Sequence, residues 1–455
     1  MRPPFDAGAD PVTPVRRITR RRILDLAWPI VLANSATPLL GLVDTAVIGN
    51  TGRVQDLGAV GLGALIFSFV FWGFGFLRMG TTGFVAQASG RGDSTEVRAA
   101  TFRALMLGGV LGSALILLQE PIAWVSLELL GASDDVERVT RGYYDLRIWA
   151  APATLGSYSI LGALIGLGRT RSVLAIQLVL NGVNLVLDVL FAGVWGMGAP
   201  GIALGTALAE WSAFLFGGVL LWRVLRGERS AGDPWFPTDR IRDAAKAREM
   251  FAANADIMVR TLFLLLGMGW FTNQGAIFGD TILAANHVLL QLISLSAYLL
   301  DGYAHATETL VGRSVGARDA DGFDRAVRLS TELAVVTAIG LGVGVLFAGP
   351  SAVVLLTDLP AVRAVAGAFV PWAAIYITVS FAAFQLDGIF IGATRTVDLR
   401  NASILSCVAF IATSVPAVRM GGNTGLWGAF LAFVVFRAVA LGVRLPALRA
   451  SVGPK

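Results

Sequence analysis

The sequence predicts an all-α polytopic membrane protein with about twelve transmembrane helices, arranged as two parallel six-helix repeats. Three observations support this prediction. The 455 residues are 55% hydrophobic and only 15% charged, whereas a soluble protein has about 25% charged residues. Apolar runs recur along the chain with roughly the 20-residue length of a helix that crosses a bilayer. Two sequence motifs also recur at one fixed offset.

The hydropathy pattern predicts twelve spans, and the loops between them alternate in charge. One set of loops, together with both chain ends, is rich in arginine, while the other set includes the acidic stretch "QEPIAWVSLELLGASDDVER". The positive-inside rule therefore predicts that both termini are cytoplasmic. The expected location is the plasma membrane. The net charge of +5 reflects this topology, and no nucleic-acid partner is expected. The predicted spans are 26–49, 59–82, 98–118, 142–167, 172–194, 199–222, 251–277, 281–306, 327–348, 366–391, 400–418 and 424–445.

The repeat is visible in two pairs of motifs. "GRGD" at Gly90 matches "GARD" at Gly316, and "GALIGLGRTR" at Gly162 matches "GIFIGATRTV" at Gly388. Both pairs are 226 residues apart. Six spans separate the copies, so both enter the membrane from the same side, as in the parallel repeats of secondary transporters.

This organisation divides the chain into five parts. We expect a cytoplasmic tail at 1–25, an N-terminal lobe with a cation site at 26–222, a basic linker at 223–250, a C-terminal lobe at 251–445 and a tail at 446–455. The linker segment "TDRIRDAAKAREMF" fits either a surface helix on anionic headgroups or an ordinary solvated connector.

Polar side chains inside the N-terminal spans are the strongest functional candidates, because an ionisable residue in a bilayer is costly. At 1.5 Å per residue, Asp44, Asp188 and Thr206 all lie roughly 9–10 Å below the outer surface. Asn184 lies one helical turn from Asp188 on the same face. Two further polar residues continue this layer inward as accessory candidates, Asn181 and Glu210.

This cluster suits a cation. Two buried carboxyl groups can share a proton, and the same oxygens with those of Asn and Thr can hold Na⁺. The sequence leaves H⁺ and Na⁺ both open, and no other cofactor or metal is predicted. At the repeat offset, Asp188 corresponds to Ser414 and Asn184 to Phe410, so the second lobe does not repeat the cluster. The alternative interpretation is that these residues only join helices by hydrogen bonds.

Other buried charges have a structural interpretation. Asp256 and Arg260 are four residues apart on one span and are predicted to pair with each other. A second group near the inner ends of the spans is predicted to form an ion-pair layer, with solvated helix ends as the alternative: Arg78, Asp301, Glu308 and Asp387. A second protonation site at Asp387 or Asp301 is a further alternative. The central cavity is expected to be mostly apolar, with scattered polar positions such as Asn273, Asn286, Gln291 and Tyr298.

Several other functions are disfavoured. The chain has no Walker A sequence, and the G-x-G-x-x-G match at 196–201 lies between two membrane helices rather than after a strand. The single Cys407 excludes a disulfide within the chain. The loops are short and lack the metal-ligand spacing that a membrane enzyme would need, so no enzymatic activity is expected.

Five stretches, read together, resemble the MATE (multidrug and toxic compound extrusion) family, and within it the DinF-type branch. They are "PLLGLVDTAVIGNTG", "FLRMGTTGFVAQASGRGD", "NGVNLVLDVLF", "AYLLDGYAHATETLVGRSVGARD" and "DGIFIGATRT". The resemblance covers roughly residues 25 to 445. It implies two six-helix lobes around a central V-shaped cavity, and antiport of a cation against an organic substrate. It also implies a cation site at four positions already singled out, Asp44, Asn184, Asp188 and Thr206, with Pro38 as a kink point in the first helix.

The functional expectation is therefore a secondary antiporter that exports amphipathic, cationic organic compounds in exchange for H⁺ or Na⁺. The alternatives are an exporter of organic anions or a flippase for lipid-linked precursors, which would need several cationic residues in the cavity. The expected partners are small organic substrates and the lipid bilayer, with the protein acting as a monomer.

Overall fold

The computed structural model describes residues 18–51, 53–131, 133–229 and 232–453, and these residues are almost entirely helical. The N-terminal lobe contains α1 (Arg20–Thr51), α2 (Val54–Trp72), α3 (Phe76–Gly90), α4 (Ser94–Leu117), α5 (Gln119–Leu130), α6 (Asp134–Arg147), α7 (Ala151–Gly166), α8 (Thr170–Asp188) and α9 (Ala199–Glu228). The short α10 (Thr238–Ile241) leads to the C-terminal lobe of α11 (Ala244–Ala276), α12 (Asp280–Ala317), α13 (Ala320–Leu356), α14 (Pro360–Gly392), α15 (Thr396–Gly442) and α16 (Leu445–Ala450).

The twelve predicted crossings are confirmed. Ten segments of the described chain are long and apolar enough to span a bilayer, and the last of them, Thr396–Ala450, is two crossings. Its two helices meet at Gly422, where the backbone turns into the left-handed region with φ of +55°. The remaining crossing is α1. Two of the crossings are built from helix pairs, α2 with α3 and α6 with α7, each pair joined by a short 3₁₀ turn.

The turns reproduce the internal repeat. Three pairs of residues 226 positions apart all adopt left-handed backbone conformations, Gly92 with Arg318, Gly168 with Thr394, and Gly196 with Gly422. Two aspartates at the same offset also cap equivalent helices. Asp93 accepts a hydrogen bond from the backbone N–H of Glu96, and Asp319 accepts one from Gly322. The two halves of the chain therefore share one backbone plan.

The lobes pack together at the ends that carry the arginine-rich loops, here called the arginine-rich side. Gln87 of α3 donates hydrogen bonds to the Gly392 carbonyl at 3.1 Å and to Thr394 Oγ1 at 3.0 Å. Thr309 of α12 donates to the Ile165 carbonyl of α7 at 2.7 Å. Glycine makes this close approach possible, because a Cβ at Gly316 would overlap the Gln87 carbonyl oxygen. Close packing through small residues is typical of membrane helices.

The structure corrects three details of the predicted organisation. The acidic outer segment is not a plain loop, since its first part forms α5, Gln119–Leu130. The linker is shorter than 223–250, because α9 continues to Glu228 and α11 begins at Ala244. The linker segment "TDRIRDAAKAREMF" also does not form one separate helix. It contains the single turn of α10, and its residues after Asp243 form the first turns of α11. Helices α9 and α11 continue beyond the predicted spans through polar residues, and hydropathy does not show whether a polar segment is helical.

Candidate functional site

The four polar residues predicted to form one layer are buried and close together in the N-terminal lobe. Asp44, Asn184, Asp188 and Thr206 are each at most 3% exposed. Asn184 Nδ2 donates to Thr206 Oγ1 at 3.2 Å, which joins α8 to α9. The carboxyl groups of Asp44 on α1 and Asp188 on α8 lie close enough to interact with each other.

These oxygens lack donors. Among the described residues, no hydrogen bond reaches either carboxyl oxygen of Asp188, or Oδ1 of Asp44 or Asn184. A buried acceptor left unpaired costs about 1–3 kcal/mol. A shared proton between the two carboxyl groups, or a small hard cation among the oxygens, would satisfy them. The donor set therefore fits H⁺ or Na⁺ chemistry.

Local backbone features hold Asp188 in place. It is the last residue of α8, and a π-helical turn, Val189–Val194, follows directly. Such turns are frequently found at functional sites. On α9, Gly205 lies so close that a Cβ there would overlap Asp188 Oδ1, and Gly201 packs against the π turn at Ala192 N.

The accessory residues have different roles. Asn181 Nδ2 donates to the Ala36 carbonyl of α1 at 3.2 Å, while its Oδ1 has no donor among the described residues. The side chain of Pro38 lies outside the described residues, so the kink remains a prediction. Glu210 does not join the central four, because it accepts a hydrogen bond from Thr154 and lies 3.8 Å from Arg147.

Sequence reasoning missed Arg147, a cation beside the carboxyl pair. Its Nη1 donates to Tyr143 Oη at 2.6 Å, and its guanidinium lies 4.8 Å from the centre of the Phe67 ring. Its charge acts on both Asp44 and Asp188. The signal was available, since Arg147 lies inside the predicted span 142–167 and an intramembrane charge is a functional candidate by default.

In the C-terminal lobe, the buried charged residues Asp256 and Arg260 have partners other than the predicted ones. Asp256 does not pair with Arg260. It accepts hydrogen bonds from Arg400 Nη1 at 2.6 Å and Thr396 Oγ1 at 2.9 Å. The helical spacing allowed the predicted pair, but the neighbouring helix α15 supplied closer donors.

Arg260 instead pairs with Asp387 of α14. Arg437, which sequence reasoning missed, lies 3.6 Å from the same carboxylate. Each of these three residues is at most 8% exposed. Two buried guanidinium groups therefore share one carboxylate, and depth counting along span 424–445 would have located Arg437.

The predicted ion-pair layer forms only in part. Arg78 of α3 contacts the His305 ring at 3.2 Å, and His305 Nδ1 lies 3.0 Å from Glu308 Oε1. This group connects the two lobes on the arginine-rich side. Asp301 lies near the group without a direct ion pair among the described residues, and Asp387 belongs to the separate Arg260 cluster.

The positions predicted to line the cavity fall into two groups. Asn273 and Gln291 are exposed, and Gln291 lies 3.2 Å from the His287 ring. Asn286 is instead buried in the C-terminal lobe, where it bonds Asn423 at 2.9 Å and accepts from Trp427. Asn286 is therefore a packing residue. Its position on α12 alone could not show that its partners lie on α15.

Comparison with known proteins agrees with this architecture. The MatE family model matches residues 29–190 and 258–415, one block in each lobe. The chain belongs to the MATE family. It is similar to DNA damage-inducible protein F of Escherichia coli, with 35% identity over 416 residues that cover 91% of this chain and 90% of that protein. It is also similar to the probable multidrug resistance protein NorM of Neisseria meningitidis serogroup B, with 26% identity and 92% of each chain covered.

Solved transporter structures share the fold. A MATE transporter in the bent conformation superposes with a TM-score of 0.86 at 19% identity, covering 95% of this chain and 97% of that chain. A MOP superfamily transporter from Pyrococcus furiosus superposes with a TM-score of 0.82 at 17% identity, covering 95% and 96%. This MATE protein is therefore a multi-pass membrane protein whose relatives are transporters rather than enzymes.

Proposed function

We propose that this MATE protein is a secondary antiporter that exports organic compounds across the plasma membrane in exchange for H⁺ or Na⁺. The observation that supports this function is the pair of facing carboxyl groups, Asp44 and Asp188, buried in the membrane with unpaired oxygens. Two such groups cannot both stay ionised and unpaired at low dielectric. They therefore need a cation for much of the transport cycle.

Helix α1 is the element that would carry the signal between lobes. Asp44 lies on α1, and Asn181 of α8 holds the same helix through the Ala36 carbonyl. Nearer its start, α1 packs on the other lobe, where a Cβ at Gly302 of α12 would lie 3.0 Å from the Ala27 carbonyl oxygen. Loading or release of the cation changes the α1–α8 contact, and α1 transmits this change to the second lobe.

The lobes contact each other closely on the arginine-rich side, which is the predicted cytoplasmic side. This arrangement leaves the carboxyl pair to exchange its cation with the opposite, external side. Inward opening would break the Gln87 and Arg78 contacts between the lobes. Both termini are cytoplasmic in this scheme, and the protein acts as a monomer because one chain contains the whole site.

The two coupling ions place different demands on the site. A proton needs only the two carboxyl groups. Among the described residues no three His, Cys, Asp or Glu side chains converge as metal ligands. A bound Na⁺ would therefore take its further oxygens from Asn184 and Thr206. Arg147 adds a positive charge beside either ion.

For the substrate we propose amphipathic organic cations, which the ionised carboxyl pair attracts and which the incoming cation displaces. A second candidate class is organic anions. It is favoured by Arg260 and Arg437, two guanidinium groups that share the single carboxylate of Asp387.

The test uses purified protein in liposomes that contain ethidium. A pH gradient and then a Na⁺ gradient are imposed, and dye movement is followed for wild type, Asp188→Asn and the control Asp358→Asn, whose side chain is fully exposed. We expect one gradient to drive export by wild type and control, and Asp188→Asn to abolish it. The effective gradient identifies the ion. Equal export by wild type and Asp188→Asn would disprove the coupling role, and export of organic anions alone would select the second substrate class.

A further inference from the structure

A groove of about 900 Å³ lies on the membrane-facing surface of the C-terminal lobe, between α13 and α14 and beside the start of α1. Its walls are largely apolar and include Val336, Phe381 and Ile389. Val336 is 69% exposed. This volume is in the range of small-molecule sites, about 300–1,000 Å³.

The groove has the depth of one leaflet. The predicted span of α13 begins at residue 327 on the arginine-rich side, and Val336 lies roughly 14 Å further along the helix. One leaflet of hydrocarbon is about 15 Å thick, half of the bilayer core. The groove therefore runs from the predicted cytoplasmic surface to near the middle of the membrane, where its neighbours are lipids.

The surface end of the groove is positively charged. Arg20 donates to Glu332 at 2.7 Å, and Arg328 lies 3.8 Å from the same carboxylate. Both arginine side chains are exposed, at 66% and 71%. Two guanidinium groups share one carboxylate, which leaves one positive charge at the level where lipid phosphates lie.

A buried donor also points to a ligand. Gln385 lines the groove and is only 2% exposed. Its Oε1 accepts a hydrogen bond from Thr307 at 2.8 Å, but its Nε2 has no acceptor among the described residues. An ester carbonyl oxygen in the upper acyl region of a phospholipid would be a suitable acceptor.

We propose that this groove binds one anionic phospholipid of the cytoplasmic leaflet. The phosphate lies at Arg20 and Arg328, an ester carbonyl accepts from Gln385, and an acyl chain follows the apolar wall past Val336. Basic pockets between membrane helices on the cytoplasmic side bind anionic lipid headgroups in this manner. The site is separate from the carboxyl pair in the N-terminal lobe and does not depend on the transport proposal.

The test titrates the delipidated full-length protein with phosphatidylglycerol or phosphatidylcholine of identical acyl chains, and counts bound lipids by native mass spectrometry. We expect one phosphatidylglycerol to bind at least fivefold more tightly than phosphatidylcholine, and Arg328→Gln to weaken phosphatidylglycerol about fivefold. Arg325→Gln is the matched control on the same helix. Equal affinity for the two lipids, or an equal effect of the two arginine variants, would overturn the headgroup assignment.

A second pair of variants tests the groove itself. Val336→Trp fills it, whereas Val343→Trp adds the same bulk two turns away on the same face of α13, where the side chain is 49% exposed. We expect only Val336→Trp to reduce the binding of both lipids. If the two tryptophan variants bind lipid alike, the groove is not the site. Displacement of the bound lipid by added ethidium would instead assign the groove to a transported compound.

Discussion

Asp188 on α8 packs directly against the backbone of Gly205 on α9, so that a Cβ at position 205 would overlap the Oδ1 atom of the carboxyl group. The absence of a side chain at position 205 leaves room for this carboxyl group. The carboxyl group is held between two helices at the point where α8 changes to a π turn.

The first prediction follows from this contact. Gly205→Ala should displace the Asp188 carboxyl group and reduce gradient-driven export at least tenfold, since small misplacements of reacting groups are costly. Gly218→Ala on the same helix is the control, because a Cβ there meets nothing within 4 Å. Both variants should remain monodisperse in size-exclusion chromatography. Normal export by Gly205→Ala would show that the site tolerates movement of the carboxyl group.

Arg147 and Glu210 form the buried ion pair beside the site. Removal of one member of such a pair destabilises a protein by about 3–5 kcal/mol, because the other charge stays buried alone. We therefore expect Arg147→Gln and Glu210→Gln each to lower the unfolding temperature in detergent, and the double variant to lose less than the sum of the two. Strictly additive losses would mean that the two charges, 3.8 Å apart, do not interact.

Asp387 is the one carboxylate shared by two guanidinium groups, those of Arg260 and Arg437. Asp387→Asn should therefore destabilise the protein by about 3–5 kcal/mol. Adding Arg437→Met should restore part of this stability, since one carboxylate and one guanidinium are then removed together. Any export that the two variants retain should still depend on the ion gradient. Complete uncoupling in Asp387→Asn would instead give this carboxylate a role in the transport cycle.

Asp93 lies in the turn between α3 and α4, outside the membrane spans. Burial acts to raise its pKa, but the hydrogen bonds from the Glu96 N–H and the Arg240 guanidinium outweigh burial and hold the pKa below its ordinary value of 3.8. A carboxyl group with a lowered pKa in the folded state stabilises the protein above its unfolded pKa, and this contribution disappears as the pH falls through the folded pKa.

We therefore expect Asp93→Asn to lower the unfolding temperature at pH 7, while the difference from wild type shrinks below about pH 4. Arg240→Gln removes the partner at 2.5 Å and should show the same pH dependence. Thermal unfolding in detergent across this pH range provides the measurement. A difference that stays constant into acid would mean that Asp93 acts only as a helix cap.

The spans and the repeat were predictable because both depend on local properties of the chain. Hydropathy marks each crossing, and the motifs at Gly90 and Gly316 mark equivalent turns, in which Gly92 and Arg318 both have a positive φ. The four central polar residues were also predictable, since depth along a helix follows from residue counting. Their role in coupling remains a prediction.

The partners of charged side chains were not predictable in the same way. Asp256 could reach Arg260 along its own helix, but Arg400 from α15 lies closer. Arg147 and Arg437 lie inside predicted spans and could have been located by depth, but depth alone does not show which carboxyl group a long side chain will meet. The linker bounds and α5 were predicted incorrectly because hydropathy does not show whether a helix continues outside the membrane.

The sequence by itself determined that this chain crosses the membrane twelve times, repeats its plan and buries Asp44, Asn184, Asp188 and Thr206 at one depth. Only the tertiary structure decided which carboxyl groups face each other, which arginines neutralise them, and where a groove opens to the lipid. The physical reason is that hydrophobicity and helical rise act along one helix. Ion pairs, glycine contacts and grooves instead depend on the rotation and distance of neighbouring helices.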